Sequence, residues 1–491
     1  MVSVPADYMN FERVSHYDVF VVMGREDGLY TYMYPSEGKF IIRNLWSFIP
    51  KYLLVANGGK STLDCGKPAE GNVVDDPCDT LFHALNSYKG MVNDIRMARE
   101  EYTETEVNTH LNKTLIIQSN GKENKTLASI KVNGFADTAS SADALFTVGN
   151  GRTVMTVTFK EIELKVNVDT SKVSLPTFTV LNSAKLELRK SIISGTNTSS
   201  QLPCPVIRAT AGTLSLMDTS ISNFSFSNAS LLEISASNIA FDGINKFTDI
   251  TKSEGNGSVF DVTVSATDTM ALQKCTFTSC SVKKGNGGAV YIRYNKGQLR
   301  IGSDISESKK KCTTVFRNCS AGKGEENNTL TYSSSFNADT PSTGAGGGIY
   351  LEVQDIKEST DGKNDSLLIG SVYFDKCEAA HAGTAIYAHS LTPKATQILM
   401  GDTFWTMVTK VSGNKDNEFI ILTDDGIEET AKGYKVIFTW WLILIISVSA
   451  VVIIAVIIII VCCCYRRRKS SAYKSLLPKD KLSVNSSYNS M

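Results

Sequence analysis

The sequence predicts an all-β solenoid, a parallel β-helix with an N-terminal capping helix, followed by one transmembrane α-helix. Three observations predict it: a repeat that occurs three times, short β-rich runs at a near-constant spacing, and one long apolar run near the C-terminus. A repeat of this size indicates one supersecondary unit that is stacked many times and buries its neighbour's apolar face. An extended surface is therefore expected rather than a single catalytic pocket.

The repeat is a Phe-x-x-Cys step that leads into a small-residue turn and a short apolar strand. Its copies are 277–280 with 287–291, 316–319 with 346–350, and 374–377 with 383–387. In a β-helix the small residues permit a tight corner, and equivalent apolar residues stack ~4.8 Å apart. We expect the phenylalanines to form an interior ladder and the cysteines to be small buried residues.

Short β-rich runs recur from about residue 114. Those that begin at Leu186, Leu214, Ile239 and Met270 are 28, 25 and 31 residues apart. Leucine-rich repeats share this period, but their consensus is absent. A β-sandwich also has many short strands, but it does not explain the returning Gly-x-x-Ile/Val-Tyr. A parallel β-helix accounts for both, and we assign it to residues 113–425.

The region ahead of the solenoid divides in two. Residues 1–50 form an unassigned N-terminal extension, and 51–112 form a cap region. Within the cap region Pro77–Leu85 predicts a helix start, with Asp76 or Asp79 as its cap. The polar segment from residue 90 to 111 is expected to be an exposed helix or loop. We expect this single helix to cover the open apolar end of the solenoid.

The run Ile437–Val461 is 25 residues long, without charge, and predicts the membrane span. Residues 426–436 form a juxtamembrane linker and 462–491 a basic tail. From residue 466 onward seven basic residues face one acidic residue, which predicts a cytoplasmic C-terminus in the plasma membrane or an endomembrane. This topology requires a translocation signal, and none is visible after Met1. Either the single C-terminal span inserts post-translationally or Met1 is not the true start, and we expect the second.

The cysteines ahead of the span are even in number, which suits disulfides without fixing their pairing. Cys65 and Cys78 bracket a short loop and are the candidate disulfide. Cys462, Cys463 and Cys464 adjoin the cytoplasmic end of the span. They are candidates for S-palmitoylation, with the apolar end of the helix as the alternative.

Nine Asn-x-Ser/Thr sequons precede the span and are candidate N-glycosylation sites in a secretory lumen. In an Asn/Ser/Thr-rich chain they are partly compositional, so they support an ectodomain without proving one. The sequon asparagines are Asn112, Asn124, Asn197, Asn223, Asn228, Asn256, Asn318, Asn327 and Asn364.

The paired motifs Phe-x-x-Cys and Gly-Gly-Ala-Val or Gly-Gly-Gly-Ile resemble the Phe-x-x-Asn/Cys and Gly-Gly-Ala-Ile/Val repeat of chlamydial polymorphic outer-membrane proteins and of similar protist surface proteins. The stretch from Asp64-Cys65-Gly66 to Leu85 looks like the N-terminal cap of the protist domains. The resemblance covers about residues 51–425 and implies a right-handed parallel β-helix of the pectin-lyase-like class. Cysteine replaces the asparagine, and a single span replaces the bacterial membrane barrel, so the autotransporter mechanism is not carried over. What the resemblance implies is a surface-displayed domain similar to adhesins.

β-Helices of this class include polysaccharide lyases and hydrolases, which need clustered carboxylates. Asp261, Asp268, Asp304 and Asp375 are candidates for one shared face, although carboxylates more often simply face water. His381 and His389 have no carboxylate fixed near them in sequence and are expected at surface or corner positions. The sequence therefore predicts no catalytic, metal-binding or cofactor-binding residue and no cofactor.

The leading hypothesis is a single-pass cell-surface glycoprotein whose β-helix ectodomain acts as a binding or adhesion module. The alternative is a membrane-tethered β-helix carbohydrate-active enzyme, and a third possibility is a structural coat component. Expected partners are the membrane and the glycans or surface proteins of other cells. Zero net charge argues against nucleic acid. The tail adds Tyr473-Lys-Ser-Leu476, which resembles a sorting motif for a cytoplasmic adaptor.

Overall fold

The computed structural model describes two units, residues 1–435 and 436–491, each in part. Four strands before residue 50 form an antiparallel sheet in chain order: Met9–Val14, Asp18–Gly24, Tyr30–Ser36 and Lys39–Asn44. Beyond them the described residues are 50–62, 65–67, 75–87, 92–104, 109–121, 126–136, 144–167, 169, 172–196, 200–235, 238–302, 314–322, 343–357, 366–370, 372–401, 404–405, 408–411, 419–431, 435–437 and 454–463.

From residue 53 the chain visits three parallel sheets in rotation, named I, II and III here. Sheet I contains Leu53–Lys60, Asp94–Met97, Leu115–Ser119, Met155–Lys160, Ala184–Arg189, Thr213–Met217, Asn238–Asp242, Thr269–Leu272, Gln298–Ile301 and Leu367–Ile369. Sheet II contains Glu101–Glu104, Ala128–Asn133, Ile162–Asn167, Ile192–Gly195, Ser220–Phe226, Asn245–Glu254, Cys275–Lys284, Thr314–Arg317, Ser320–Ala321, Val372–Asp375, Glu378–Ala379 and Val408–Val411. Sheet III contains Thr109–Leu111, Phe146–Val148, Phe178–Val180, Ile207–Thr210, Leu232–Ser235, Phe260–Val264, Val290–Asn295, Ile349–Asp355, Ile386–Ser390, Phe419–Leu422 and the antiparallel Glu428–Thr430.

Each strand pairs with its equivalent in the next turn of the chain, which gives a solenoid-like arrangement compatible with a parallel β-helix. The β-rich runs singled out in the sequence around residues 115, 156, 186, 214, 239 and 271 all lie in sheet I, as consecutive neighbours. The prediction of stacked short strands is confirmed. A small antiparallel pair, Phe135–Ala136 with Val173–Ser174, lies outside the three sheets. The last described strand in the sequence is Lys435–Ile437.

The core lies between the three sheets and is filled by the inward residues of each strand. Its most regular part is a ladder of Phe247, Phe277, Phe316 and Phe374, all fully buried. Consecutive ring centroids are 5.0, 4.5 and 5.0 Å apart and the rings are nearly parallel. Stacked pairs of this kind each contribute about 0.5–1.5 kcal/mol beyond their burial. The interior aromatic ladder predicted from the repeat is confirmed.

The Phe-x-x-Cys step bends the chain within sheet II. Its third residue is left-handed at Ser279, Asn318 and Lys376, with φ of 54°, 51° and 53°. The bend turns the following cysteine into the core as a free, buried thiol. The thiols of Cys280, Cys319 and Cys377 approach the carbonyl oxygen of the preceding coil's phenylalanine (Phe247, Phe277 and Phe316) at 3.6, 3.8 and 3.7 Å. A cysteine here therefore combines apolar packing with a weak hydrogen bond between coils.

Helix α1 (Leu81–Asn86) packs against the first strand of sheet I and buries Leu81 and Ala84. The predicted cap is wrong: Thr80 is the N-cap, and its hydroxyl accepts the His83 N–H at 3.2 Å. Asp79 instead accepts the Ser61 hydroxyl at 2.7 Å and contacts the His83 ring. Asp79 lies one residue before the cap position, and its two carboxylate oxygens are already bonded to Ser61 and the His83 ring.

The first N–H of α1 is bonded by a buried carboxylate, that of Glu104 at the end of the first strand of sheet II. Only 5% of Glu104 is exposed. Burial raises the pKa of this carboxyl to about 7, although the N–H groups of Leu81 and Phe82 act in the opposite direction. A titratable group thus joins α1 to the first coil.

A second helix, α2 (Pro393–Leu399), was not predicted from the sequence. Thr392 caps it, and Ala395 and Leu399 are buried. The fully buried Trp405 follows, donates its indole N–H to the Leu399 carbonyl at 2.6 Å and lies 6.3 Å from the Phe419 ring. Helix and indole together pack onto the core near its last described coil.

The expectation of an exposed helix or loop between residues 90 and 111 is wrong. The chain forms Asp94–Met97, Glu101–Glu104 and Thr109–Leu111, one strand for each sheet. Their inward residues alternate with charged ones, as in Asp94-Ile-Arg-Met97, and this period of two was masked by the polar composition.

The predicted membrane span lies mostly outside the described residues. Ile437 ends the short strand, and the described stretch 454–463 is helical. Among the described residues no helix combines the length and the apolarity needed to cross a bilayer.

Candidate binding face

The outer face of sheet III concentrates the polar chemistry of the solenoid. In the strand Phe260–Val264, Phe260, Val262 and Val264 point into the core, so Asp261 and Thr263 point outward. Asp261 stands beside Glu233 in the preceding coil and Tyr291 in the next. A second outward row runs from Thr263 through Arg293 and Glu352 to His389.

Ion pairs on this face join neighbouring coils. Arg293 Nη2 lies 2.6 Å from Asp261 Oδ1, with side chains 43% and 26% exposed, and Arg293 Nε donates to the Thr263 hydroxyl at 3.3 Å. Two coils earlier the equivalent pair, Arg208 and Glu233, lies 3.6 Å apart and is more exposed. Burial raises the pKa of Asp261, while Arg293 and Lys252 act in the opposite direction.

Lys252 belongs to this site although sequence analysis did not single it out. It occupies an inward position of sheet II that is held by Phe226 and Val282 in the neighbouring coils, and only 2% of it is exposed. Its ammonium donates to the Ser230 hydroxyl at 3.0 Å and to the Asn256 carbonyl at 2.7 Å. Burial lowers its pKa, and Asp261 and Glu233 oppose that shift. The signal in the sequence is that Lys252 aligns with Val282 of the next coil, at a position that is otherwise apolar.

Toward the C-terminus the same face becomes a packed ladder of Tyr291, Tyr350 and Tyr387. Their ring centroids are 5.0 and 5.3 Å apart, and all three are buried. With Ala345, Ala382, Ile420 and Leu422 they form an apolar cluster separate from the main core. The tyrosines recur as the last residue of the sequence repeat, so the repeat builds both an inner and an outer ladder.

The tyrosine hydroxyls connect this ladder to titratable groups. Tyr291 donates to Glu352 at 3.1 Å and Tyr387 to Glu428 at 2.7 Å, while Tyr350 lies 3.3 Å from His389 Nδ1. Burial raises the pKa of each tyrosine. Burial also lowers the pKa of His389, which therefore favours the neutral imidazole near pH 7.

The histidines were expected at surface or corner positions with no carboxylate nearby. His381 does lie in the corner between Glu378–Ala379 and Ile386–Ser390, but His389 is buried and both histidines have a carboxylate close by. His389 is 7% exposed and stands beside Glu352 in the sheet register. His381 Nε2 lies 2.6 Å from Glu428 Oε1. Burial would raise the pKa of Glu428, but hydrogen bonds from His381 and Tyr387 outweigh it and lower that pKa. The carboxylates come from other coils, so the sequence gives no local signal for these contacts.

The acidic residues proposed for a shared face do not share one. Asp261 is in sheet III, Asp375 is in sheet II, and Asp268 lies in the turn before the strand Thr269–Leu272 of sheet I. Asp304 lies outside the described residues. In the part of the chain that the structure describes, no group of three or more His, Cys, Asp or Glu side chains is arranged to hold a metal ion.

The remaining candidate residues are placed as follows. Cys65 and Cys78 form a disulfide, with Cα atoms 4.9 Å apart. Cys462 and Cys463 are exposed and free. Among the sequons Asn112, Asn228 and Asn318 are exposed and Asn223 and Asn256 half-buried. Outside the described residues lie Asn124, Asn197, Asn327, Asn364, Cys464, Tyr473 and Leu476.

Comparison of the chain with protein-family models, curated proteins and solved structures gave no match. The outer face of sheet III is therefore interpreted from its own geometry. It offers carboxylates, guanidinium groups and hydroxyls in neighbouring coils, and the ion-paired side chains Arg208, Glu233, Asp261 and Arg293 are partly open to solvent. Such a face can form many directional hydrogen bonds to an extended ligand.

Proposed function

We propose that this chain is a single-pass cell-surface glycoprotein whose right-handed parallel β-helix acts as a binding or adhesion module. The observation that carries the proposal is the outer face of sheet III, where Glu233, Asp261 and Arg293 lie in neighbouring coils and remain partly exposed. Partners would be glycans or proteins of other surfaces, which a long rigid face can contact at several coils at once.

Membrane attachment is part of the same proposal. Support comes from the uncharged run Ile437–Val461, from the basic residues that follow it, and from the described helical stretch 454–463. Ile454 and Val461 expose 57% and 60% of their surface, which a bilayer would cover. The tail would then be cytoplasmic and carry the palmitoylation and sorting candidates.

Surface labelling of intact cells tests this function. With the chain tagged at its C-terminus, an ectodomain-directed label should reach it without permeabilisation, and N-glycosidase should lower its apparent mass. Cells that express it should adhere to other cells or to an extracellular matrix more strongly than cells that do not. An unglycosylated ectodomain protected inside intact cells would contradict the proposal.

A second candidate is a tethered carbohydrate-active enzyme, and one observation favours it. Glu233 and Asp261 are register neighbours in adjacent coils, and burial raises the pKa of Asp261. A carboxylic acid beside a carboxylate is the arrangement of acid/base glycoside cleavage. Release of reducing ends or of unsaturated products from polysaccharides by the wild-type chain, but not by Asp261→Asn, would favour the enzyme over the binding module.

A further inference from the structure

We propose that the Asp261–Arg293 pair binds a neutral glycan through adjacent hydroxyl groups. This inference rests on the proposed binding function and names the ligand class of the same face. Arg293 has five N–H donors, of which Nη2 contacts Asp261 and Nε contacts Thr263. Among the described residues the other three donors have no hydrogen-bond partner, and they are left for a ligand. Within the described part of the chain no hydrogen bond reaches Asp261 Oδ2, which is left as an acceptor.

The balance of charge selects a neutral ligand. The cations Arg208, Lys252 and Arg293 are matched by the carboxylates of Glu233, Asp261 and Glu352 along the same few coils. A polyanion or a polycation would be attracted by one set and repelled by the other. Hydroxyl groups both donate and accept, so adjacent hydroxyls of one sugar match a guanidinium beside a carboxylate.

The spacing of the face suits a polymer of sugars. Neighbouring strands are ~4.8 Å apart, a length comparable with one pyranose residue. Glu233, Asp261 and Tyr291 occupy equivalent positions in three successive coils. A glycan that runs along the solenoid axis would therefore place one sugar at each coil, with the Asp261–Arg293 pair at the centre.

Lys252 supports this site from below. Burial raises the pKa of Asp261, whereas the positive charges of Arg293 and of the buried Lys252 ammonium act to lower it. Lys252 therefore favours the ionised carboxylate, which is the form that accepts hydrogen bonds from hydroxyl groups. Lys252 is a positioning residue, since Ser230 and Asn256 hold its ammonium beneath the surface. This role explains why a lysine occupies a position that is held by Phe226 and Val282 in the neighbouring coils.

The test measures binding of the full chain, in detergent, to immobilised polysaccharides. Dextran and mannan serve as neutral probes, heparan sulfate as the anionic probe and chitosan as the cationic probe. Asp261→Asn and Arg293→Gln remove one partner each with little change of shape. Lys131→Gln is the control, because Lys131 pairs with Glu101 on the outer face of sheet II. Thermal unfolding of each variant checks that the fold is retained.

We expect binding to a neutral polysaccharide that Asp261→Asn and Arg293→Gln weaken by about tenfold to a hundredfold, with Lys131→Gln unchanged. Binding to the charged probes alone, absence of neutral binding, or equal binding by all variants would overturn the inference. A cell-adhesion assay distinguishes a wrong glycan site from a wrong proposed function. If cells expressing Asp261→Asn adhere as the wild type does, the glycan site is wrong and the adhesive function stands. If the wild-type chain is displayed at the surface but confers no adhesion, the proposed adhesive function is contradicted.

Discussion

Replacing Gly346 by alanine tests whether the corners of the repeat require glycine. Gly346 has φ of +72° and precedes the strand Ile349–Asp355. A Cβ at this position would lie 2.8 Å from the Ile349 carbonyl carbon and 3.0 Å from the Tyr350 nitrogen, both of them backbone atoms. The left-handed backbone costs an alanine about 1–2 kcal/mol. Overlap with the backbone adds about 1–3 kcal/mol, so we expect a total loss of roughly 2–5 kcal/mol.

Gly151→Ala is the matched control. Gly151 has the same φ of +72°, but a Cβ there would meet no atom within 4 Å. This variant should lose only the backbone cost of about 1–2 kcal/mol. The difference between the two variants therefore isolates the overlap at the corner.

Thiol labelling measures the effect where it arises. Cys319 lies buried in the same coil as Gly346 and Cys377 lies buried in the next coil, and both become reactive only when those coils open. Stability in a solenoid depends on neighbouring coils, so the opening should be local. Gly151 lies many coils away, so Gly151→Ala should leave these two thiols labelling at the wild-type rate. A loss of roughly 2–5 kcal/mol in Gly346→Ala predicts labelling faster by about thirtyfold or more. Equal labelling rates in the two variants would refute the steric account of the corner.

Three further predictions concern other parts of the chain. Cys319→Ala should lower the free energy of unfolding by about 1–2 kcal/mol. Cys319→Ser should lower it by more, because the Phe277 carbonyl lies 3.8 Å from the sulfur, beyond the reach of the shorter hydroxyl, and serine buries a polar group without that partner; denaturant unfolding of both variants checks this. The Glu104 carboxyl has its pKa raised from 4.5 to about 7, so its stabilising contribution is complete below pH 4.5 and is lost as the pH rises through 7. The loss is about 3 kcal/mol, and Glu104→Gln should remove this slope in hydrogen exchange of the α1 amides. Asn318→Gln should shift the glycosylated band on a gel, whereas Asn256→Gln should not, because Asn256 is half-buried and its side-chain oxygen accepts the Asn286 N–H at 3.0 Å.

The repeat predicts the solenoid because its residues act locally. Phe277, Phe316 and Phe374 stack on one another, and the glycine corners recur ahead of sheet III, so one coil predicts the next. Two earlier coils make the same bend without the Phe-x-x-Cys motif. Asn223 and Asp249 make the same left-handed bend, but phenylalanine and isoleucine follow them in place of cysteine. The geometry tolerates several apolar residues there, whereas a sequence motif counts only one.

The candidate site was less predictable, because its contacts join residues of different coils. Arg293 meets Asp261 across 32 positions of sequence, and His381 meets Glu428 across 47. Insertions change the length of each coil, so sequence spacing does not reveal which outward side chains become neighbours. Lys252 illustrates the point: nothing in its own segment marks it as buried until the adjacent coils are aligned by their pairing.

The described sequons bear on which face is open to a partner. Asn223 and Asn318 lie within or directly after strands of sheet II, and Asn228 and Asn256 lie in the turns that lead from sheet II toward sheet III. Asn112 lies between a strand of sheet III and one of sheet I. None of these five asparagines is on a strand of sheet III. Glycans at the exposed positions would therefore shield sheet II and the corners, while the Asp261–Arg293 pair on sheet III stays accessible. The proposed binding function would need this separation of the two faces, since glycans attached to the binding face would compete with its ligand.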